Sequence, residues 1–460
     1  METMSALDAA FLQIEDRNAA LHIGSVGIFE GPVPAFDAVR AEIARKLDRV
    51  PRYRQRMLRV PGNLGRPVWR EDPAFDIELH LRRSALPRPG GDRELAEHVG
   101  WIMSEPLDHD HPLWEDWVVE GLEHGRWALV SKVHHSVVDG IAGTDLLTRL
   151  FGADPAPGTD TPATVAPGRL PSARALVARA VREDAAALTG AVLGAVRHPR
   201  KLAGQARTST GVLRYLAALR PVGRSSILGP IGASRGYRWA EVPLADALAI
   251  RAAYGCTVND VVVAAETRAL RELLVVRGEE PTAHLVRTLV PVSVRRPDQH
   301  GAMDNRVSAI LLDLPVDEPD PVRCLEAVAE RMRRLKHTHE AEAGELMTAL
   351  GDGLPPPALM AGLRLVFRVP QQFLTTVTTN VPGPREQLHL AGRPMVATYP
   401  YVPIADRLRT GFAVTSYGES LYFGITADEG STPDIDVLRD GLLNAFAELV
   451  IAARVAGGVR

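Results

Sequence analysis

Residues 152–168, GADPAPGTDTPATVAPG, are dominated by Pro, Gly, Thr and Ala and carry no apolar periodicity. Such a run cannot build core and reads as an exposed linker or disordered loop. It divides a chain of 460 residues, already long for one hydrophobic core. Before it, strand-like LHIGSVGIFE, IELHLRR, WEDWVVEGL and RWALVSKVHH alternate with helix-like FDAVRAEIARKLDRV, DRELAEHVGWIMSEPL and IAGTDLLTRLF. After it comes an arginine-rich helical stretch over 171–220. Then LADALAIRAAY, VNDVVVAAETRALRELLVV, VRCLEAVAERMRRLKHT and DVLRDGLLNAFAELVIAARV read as helices. VRTLVPVSV, RVSAILLDLPV, FLTTVTTNV, RTGFAVTSYG and LYFGITAD read as strands. The expected organisation is a first α/β half over 1–151, a linker and basic helical crossover over 152–224, and a second half over 225–460.

Charge and cysteine usage narrow the function classes. The formal net charge is −3, so no global field attracts nucleic acid. Cys256 and Cys324 lie far apart and outside metal-ligand spacing. No disulfide framework is expected, and a reducing, cytoplasmic setting is. METMSALDAAFLQIEDRN has neither a basic start nor an apolar segment, so no signal peptide is expected. No run is apolar enough to span a bilayer. Residues 169–224 hold eleven Arg and Lys against two acids, a net +9, which leaves −12 elsewhere. That basic segment reads either as a connector lying on an acidic body or as an interfacial helix on anionic lipid. Alanine dominates its apolar side, which favours the connector.

The chemistry-bearing motif is HHSVVDG, residues 134–140. Strand alternation puts Leu129, Ser131, Val133 and His135 on one face and Val130, Lys132 and His134 on the other. One substrate channel can therefore use only one of the two histidines. A histidine at the end of a buried strand is well placed as a general base, because imidazole titrates near neutrality. Asp139 would orient the ring or lock the loop, and Gly140 permits a backbone break. If helical, His135 and Asp139 could share a metal, but the strand pattern and the lack of a third ligand at suggestive spacing argue against it. A second motif, GASRG at 232–236, matches G-x-S-x-G and would make Ser234 an esterase nucleophile. That elbow needs a strand before the serine and a helix after it, and the flanking residues offer neither.

HHSVVDG resembles the HHxxxDG signature of the chloramphenicol-acetyltransferase-like acyltransferases. MSALDAAFLQIED, HPLWEDWVVEGL, TVNDVVVAA, LVPVSVR, DNRVSAILLDLPV and TTNVPGP resemble, in order, segments of the bacterial wax ester synthase/diacylglycerol acyltransferase family. Ala6 stands where many members have Pro. The resemblance implies an α/β (α+β) fold of two chloramphenicol-acetyltransferase-like lobes, each a mixed sheet with flanking helices, joined by a helical crossover. It implies acyl-CoA-dependent esterification of a lipid hydroxyl, on a diacylglycerol or a long-chain alcohol, with His135 as general base beside His134. It makes Asp139 mainly architectural, with Arg295 as its candidate partner, and Gly140 a point of close backbone approach. Asn259 matches an asparagine near the site, although a plain helix cap explains it equally well. Pro112, Leu113 and Trp114 match a PLW segment whose expected job is packing. No metal and no cofactor beyond acyl-CoA as co-substrate are implied, and peripheral contact with a membrane or lipid droplet is. Two alternatives stand beside this reading: a related acyltransferase using a carrier-protein thioester or a specialised alcohol, and a non-catalytic lipid-droplet-binding protein.

Overall fold

The computed structural model describes residues 1–138, 143–152, 169–197, 221–293, 307–335 and 371–458. Two six-stranded mixed sheets form its frame. The first runs in the order β12-β13-β2-β7-β6-β5, where β2 is His22–Phe29, β5 Leu81–Ala85, β6 Trp114–Glu120, β7 Trp127–His134, β12 His389–Leu390 and β13 Arg393–Tyr401. The second runs in the order β10-β9-β11-β14-β15-β8. Its members are β8 Arg235–Pro243, β9 Arg287–Ser293, β10 Val307–Asp313, β11 Thr376–Val381, β14 Thr410–Tyr417 and β15 Ser420–Asp428. Most pairings are antiparallel, but β5 runs parallel to β6, and β11 runs parallel to both β9 and β14. A small third sheet joins β1 (Glu2–Thr3), β4 (Val68–Glu71) and β3 (Gln55–Leu58).

Helices flank the sheets where apolar residues recur at helical spacing. In the first half these are α1 (Ala6–Ile14), α2 (Phe36–Lys46), α3 (Asp92–Ser104) and α4 (Gly143–Phe151). The second half has α6 (Leu244–Tyr254), α7 (Val258–Val276), α8 (321–335) and α9 (Ile435–Gly458). Each of the two large sheets packs on its own buried core, and residues such as Tyr237, Trp239 and Met395 from the second half of the chain enter the first. IELHLRR, expected to be one strand, begins as a 3-10 turn at Ile77–Leu79 before β5. The crossover is described only at α5 (Ala173–Arg197), and 153–168 and 198–220 lie outside the described residues. Leu176 and Ala180 of α5 are buried. Arg179 donates to Thr3 Oγ1 at 2.9 Å and to the Met1 carbonyl at 3.3 Å. The start of α5 therefore lies on the first lobe.

The boundary expected at residue 225 needs one correction. β12 and β13, far into the second half of the chain, belong to the first sheet. β13 pairs antiparallel with β2, from Met395 opposite Phe29 to Tyr401 opposite Gly24. The pairing buries an edge that β2 would otherwise expose, and it brings the lobes together through aromatic rings. Tyr399 stacks on Trp239 at 4.8 Å and meets Tyr422 edge-on at 5.2 Å, while Tyr401 lies 5.7 Å from Tyr237. Tyr237 Oη donates to the Pro400 carbonyl at 2.7 Å. At Gly424 of β15 a Cβ would overlap that same carbonyl oxygen, so only glycine lets the two sheets approach this closely. Gly424→Ala should therefore cost about 1–3 kcal/mol of stability through overpacking against backbone. Thermal and urea unfolding check this, and an unaltered melting curve would refute it.

Candidate active site

Strand β7 ends at His134, not at His135. His135 opens a 3-10 turn, His135–Val138, so strand alternation does not set its direction as the sequence pattern suggested. The two histidines are nevertheless separated by environment. His134 is fully buried, while His135 is half-buried. His134 Nδ1 accepts from the Ser136 backbone N–H at 3.1 Å and lies 2.7 Å from Ser136 Oγ. An accepting Nδ1 leaves the ring N–H on Nε2, which faces Glu15 Oε2 at 3.5 Å. The backbone N–H of His135 donates to the Leu21 carbonyl at 2.9 Å. Its ring packs on Phe11 of α1, with centroids 4.0 Å apart.

Beneath the turn lies a polar layer in which Lys132 and Glu15 were not anticipated as site residues. Lys132 is buried, and its Nζ donates to the carbonyls of Ile102 at 3.2 Å and Glu105 at 2.9 Å, with Glu115 Oε2 at 3.4 Å. His22 sits directly opposite His134 across the sheet, and its Nε2 donates to the Met103 carbonyl at 2.7 Å. Together they satisfy carbonyls at the C-terminal end of α3, which have no partner within the helix. Burial, followed by the nearby Lys132 charge, pushes His22 down to about 3, so it is neutral at neutral pH. Burial also pushes Lys132 down, against the pull of Glu115. The signal for Lys132 was available in the sequence: a lysine inside an otherwise apolar strand must find partners.

Glu15 closes this layer. Burial opposes its ionisation, but the His109 and His134 rings that face it outweigh burial. The carboxyl is held far below its usual range. His109 Nε2 donates to Glu15 Oε2 at 2.9 Å.

The other sequence candidates fall as follows. Asp139, Gly140 and Arg295 lie outside the described residues. Asn259 is not the cap of α7, because that role belongs to Thr257 in a reciprocal pair with Asp260. Asn259 instead accepts a 3.1 Å hydrogen bond from Asn380 of β11. Two helical turns further on, Glu266 accepts from Thr378 of the same strand at 2.6 Å. Leu113 and Trp114 pack, as expected. Trp114 stacks between Tyr53 and His80 with both centroids 4.5 Å away. Ser234 lies in an exposed loop followed by a strand, β8, which removes the nucleophile-elbow reading. Both cysteines are free thiols. Among the described residues no His, Cys, Asp and Glu grouping could hold a metal ion.

Known proteins match this arrangement throughout. The wax ester synthase/diacylglycerol acyltransferase catalytic domain matches residues 4–262, and the C-terminal domain of the same family matches residues 303–450. The chain belongs to the wax ester synthase/diacylglycerol acyltransferase family. It is an acyltransferase. A probable diacylglycerol O-acyltransferase of Mycobacterium tuberculosis is 39% identical over 461 residues, covering 99% of this chain and 97% of the relative. The solved wax ester synthase/diacylglycerol acyltransferase of Marinobacter aquaeolei superimposes with a TM-score of 0.68 at 27% identity, over 98% of this chain and all of that one. The first condensation domain of the CDA synthetase shares the fold alone, with a TM-score of 0.56 at 17% identity, over 98% of this chain and 95% of that one. The two-lobed acyltransferase fold implied by the motif is therefore the fold of this chain.

One buried acid of this family member yields a pH prediction. Burial pushes Glu266 up to about 8, against the Thr378 hydrogen bond. The folded state therefore holds the proton over a range, from about 4.5 to about 8, in which the unfolded chain releases it. Stability declines as pH rises through that window. Glu266→Gln keeps an oxygen to accept from Thr378 and has no proton to lose. Between about pH 5 and pH 8 the wild-type melting temperature should fall relative to that of the variant. Parallel melting curves at both pH values would contradict the assignment.

Proposed function

We propose that this enzyme transfers a fatty acyl group from acyl-CoA to the hydroxyl of a diacylglycerol, with His135 as general base. The observation that carries the reading is the division between the histidines. His134 is fully buried, with Nδ1 accepting from Ser136 and Nε2 facing Glu15 at 3.5 Å, and His135 is half-buried just past the end of the strand. His135 takes the proton of the acceptor hydroxyl as that oxygen attacks the thioester carbonyl. The tetrahedral intermediate collapses, the carbon–sulfur bond breaks, and the proton returns to the departing CoA thiolate. The thioester is already activated and both substrates are held together, so no acyl-enzyme is needed. The family resemblance assigns supporting roles to Asp139, with Arg295 as its candidate partner, and to Gly140, and Asn259, which accepts from Asn380, serves near the reacting groups. No metal or further cofactor takes part.

The name of the Mycobacterium tuberculosis relative supports diacylglycerol as acceptor. The double name of the Marinobacter enzyme supports a long-chain alcohol as a second acceptor. His135→Ala should lower ester formation by roughly 10²–10⁴-fold, the usual worth of a general base, with the fold kept. A panel of palmitoyl-CoA with diacylglycerol, monoacylglycerol and fatty alcohols, read by product mass, tests the acceptor. Near-normal turnover by the variant, or activity only with an acyl-carrier donor, would overturn the proposal.

The enzyme acts in the cytoplasm and meets its lipid acceptor at a membrane or droplet surface. The +9 charge of residues 169–224 supports this setting. Sedimentation with anionic vesicles should exceed that with neutral ones, and equal recovery would reject a role for the basic segment.

A further inference from the structure

We infer that Glu15 is the positioning residue for His135. The inference rests on the assignment of His135 as the base. Three separate links run from this one residue to that imidazole. Its backbone N–H donates to the Phe11 carbonyl at 3.1 Å, closing the last turn of α1, and the Phe11 ring lies against His135. Its Oε1 accepts from the Leu21 backbone N–H at 3.3 Å, and the Leu21 carbonyl accepts the backbone N–H of His135. Its Oε2 faces Nε2 of His134 and of His109, and His134 is the residue next to the base.

The chemistry requires a carboxylate at this position. Arg59 Nη2 lies 3.1 Å from His109 Nδ1. Because arginine only donates, that nitrogen accepts and His109 presents its N–H to Glu15. Leu21 donates to one oxygen of Glu15, and the Nε2 atoms of His109 and His134 face the other at 2.9 and 3.5 Å, so both oxygens are called on to accept. Gln has the same shape but only one acceptor oxygen. In either orientation its amide group faces a donor. The side-chain tie between the end of α1, the start of β2 and the end of β7 would lose one of its contacts. A base displaced by a fraction of an ångström loses rate without losing substrate affinity.

The test is Glu15→Gln assayed beside His135→Ala, with turnover expressed per folded molecule from circular dichroism melts. Positioning predicts that kcat falls roughly tenfold or more while the KM values for palmitoyl-CoA and for the acceptor stay within about twofold. A kcat loss below about fivefold, a loss that only tracks the folded fraction, or an effect confined to KM would overturn the inference. If Glu15→Gln does not fold, His109→Ala serves instead. It removes one donor on the more exposed side of the carboxylate and should lower kcat severalfold at unchanged KM. An unchanged kcat there refutes the inference equally. An active His135→Ala enzyme would refute the general-base assignment itself. An inactive His135→Ala enzyme beside a fully active Glu15→Gln enzyme would refute only the role of Glu15.

Discussion

The pairing of β13 with β2 is the interaction on which the rest depends. A strand from late in the chain supplies the neighbour that β2 needs. β2 in turn is the neighbour of β7 and lies opposite it from Phe29–Trp127 to His22–His134. The histidine pair therefore lies at the end of a strand whose neighbour, β2, is held on one side by the first half of the chain and on the other by the second. The same strand carries Tyr399 and Tyr401 into the aromatic joint with Trp239, Tyr237 and Tyr422. Arg235, at the start of β8, donates to the Asn18 carbonyl, in the loop between Glu15 and Leu21. A motif read as local thus has its geometry set by both lobes.

Burying so many polar groups beneath His135 would be costly without partners. Lys132 meets two carbonyls and a carboxylate, and His22 meets a third carbonyl. Both hold the end of α3. That helix is in turn fastened to the second lobe, where the Arg235 N–H donates to Ser104 Oγ at 2.8 Å. At Gly100 a Cβ would overlap the Arg235 carbonyl oxygen. The position of the buried cation explains a lysine in the middle of an apolar strand: it ties the helix to the sheet at the level of the histidines. A buried polar network of this kind restricts side-chain rotamers more than an apolar core would.

Much of this frame was legible in the sequence because periodicity is local. LHIGSVGIFE, WEDWVVEGL, RWALVSKVHH and the helices that flank them fall within a few residues of their expected bounds. What escaped was non-local. Nothing in RPMVATYPY announces that its partner lies more than 350 residues upstream, because pairing across such a separation leaves no mark on either strand's own pattern. The end of β7 was placed one residue late because apolar alternation does not register where hydrogen bonding stops. The His134 N–H goes to the Leu113 carbonyl and the His135 N–H to the Leu21 carbonyl, and only tertiary structure supplies those acceptors. Glu15 escaped for the same reason. It follows α1 in an ordinary acidic-basic run, EDR, and its value comes from what three distant segments point at it.

Two adjacent histidines now have separate work. In a continued strand they would project from opposite faces and have no reason to occur together. The switch to a 3-10 turn after His134 makes the second ring a neighbour of α1 rather than of the opposite face of the sheet. His134 is closed to solvent, with Nδ1 bonded to Ser136 and Nε2 facing a carboxylate. Its contribution is stiffness transmitted through one peptide bond. His135 has a fixed backbone N–H, an aromatic wall at Phe11 and partial exposure, which together leave its imidazole a defined place from which to meet a substrate. The duplication sets a wholly buried ring beside a half-buried one within two residues, with Glu15 facing the first and linked through Leu21 and Phe11 to the second.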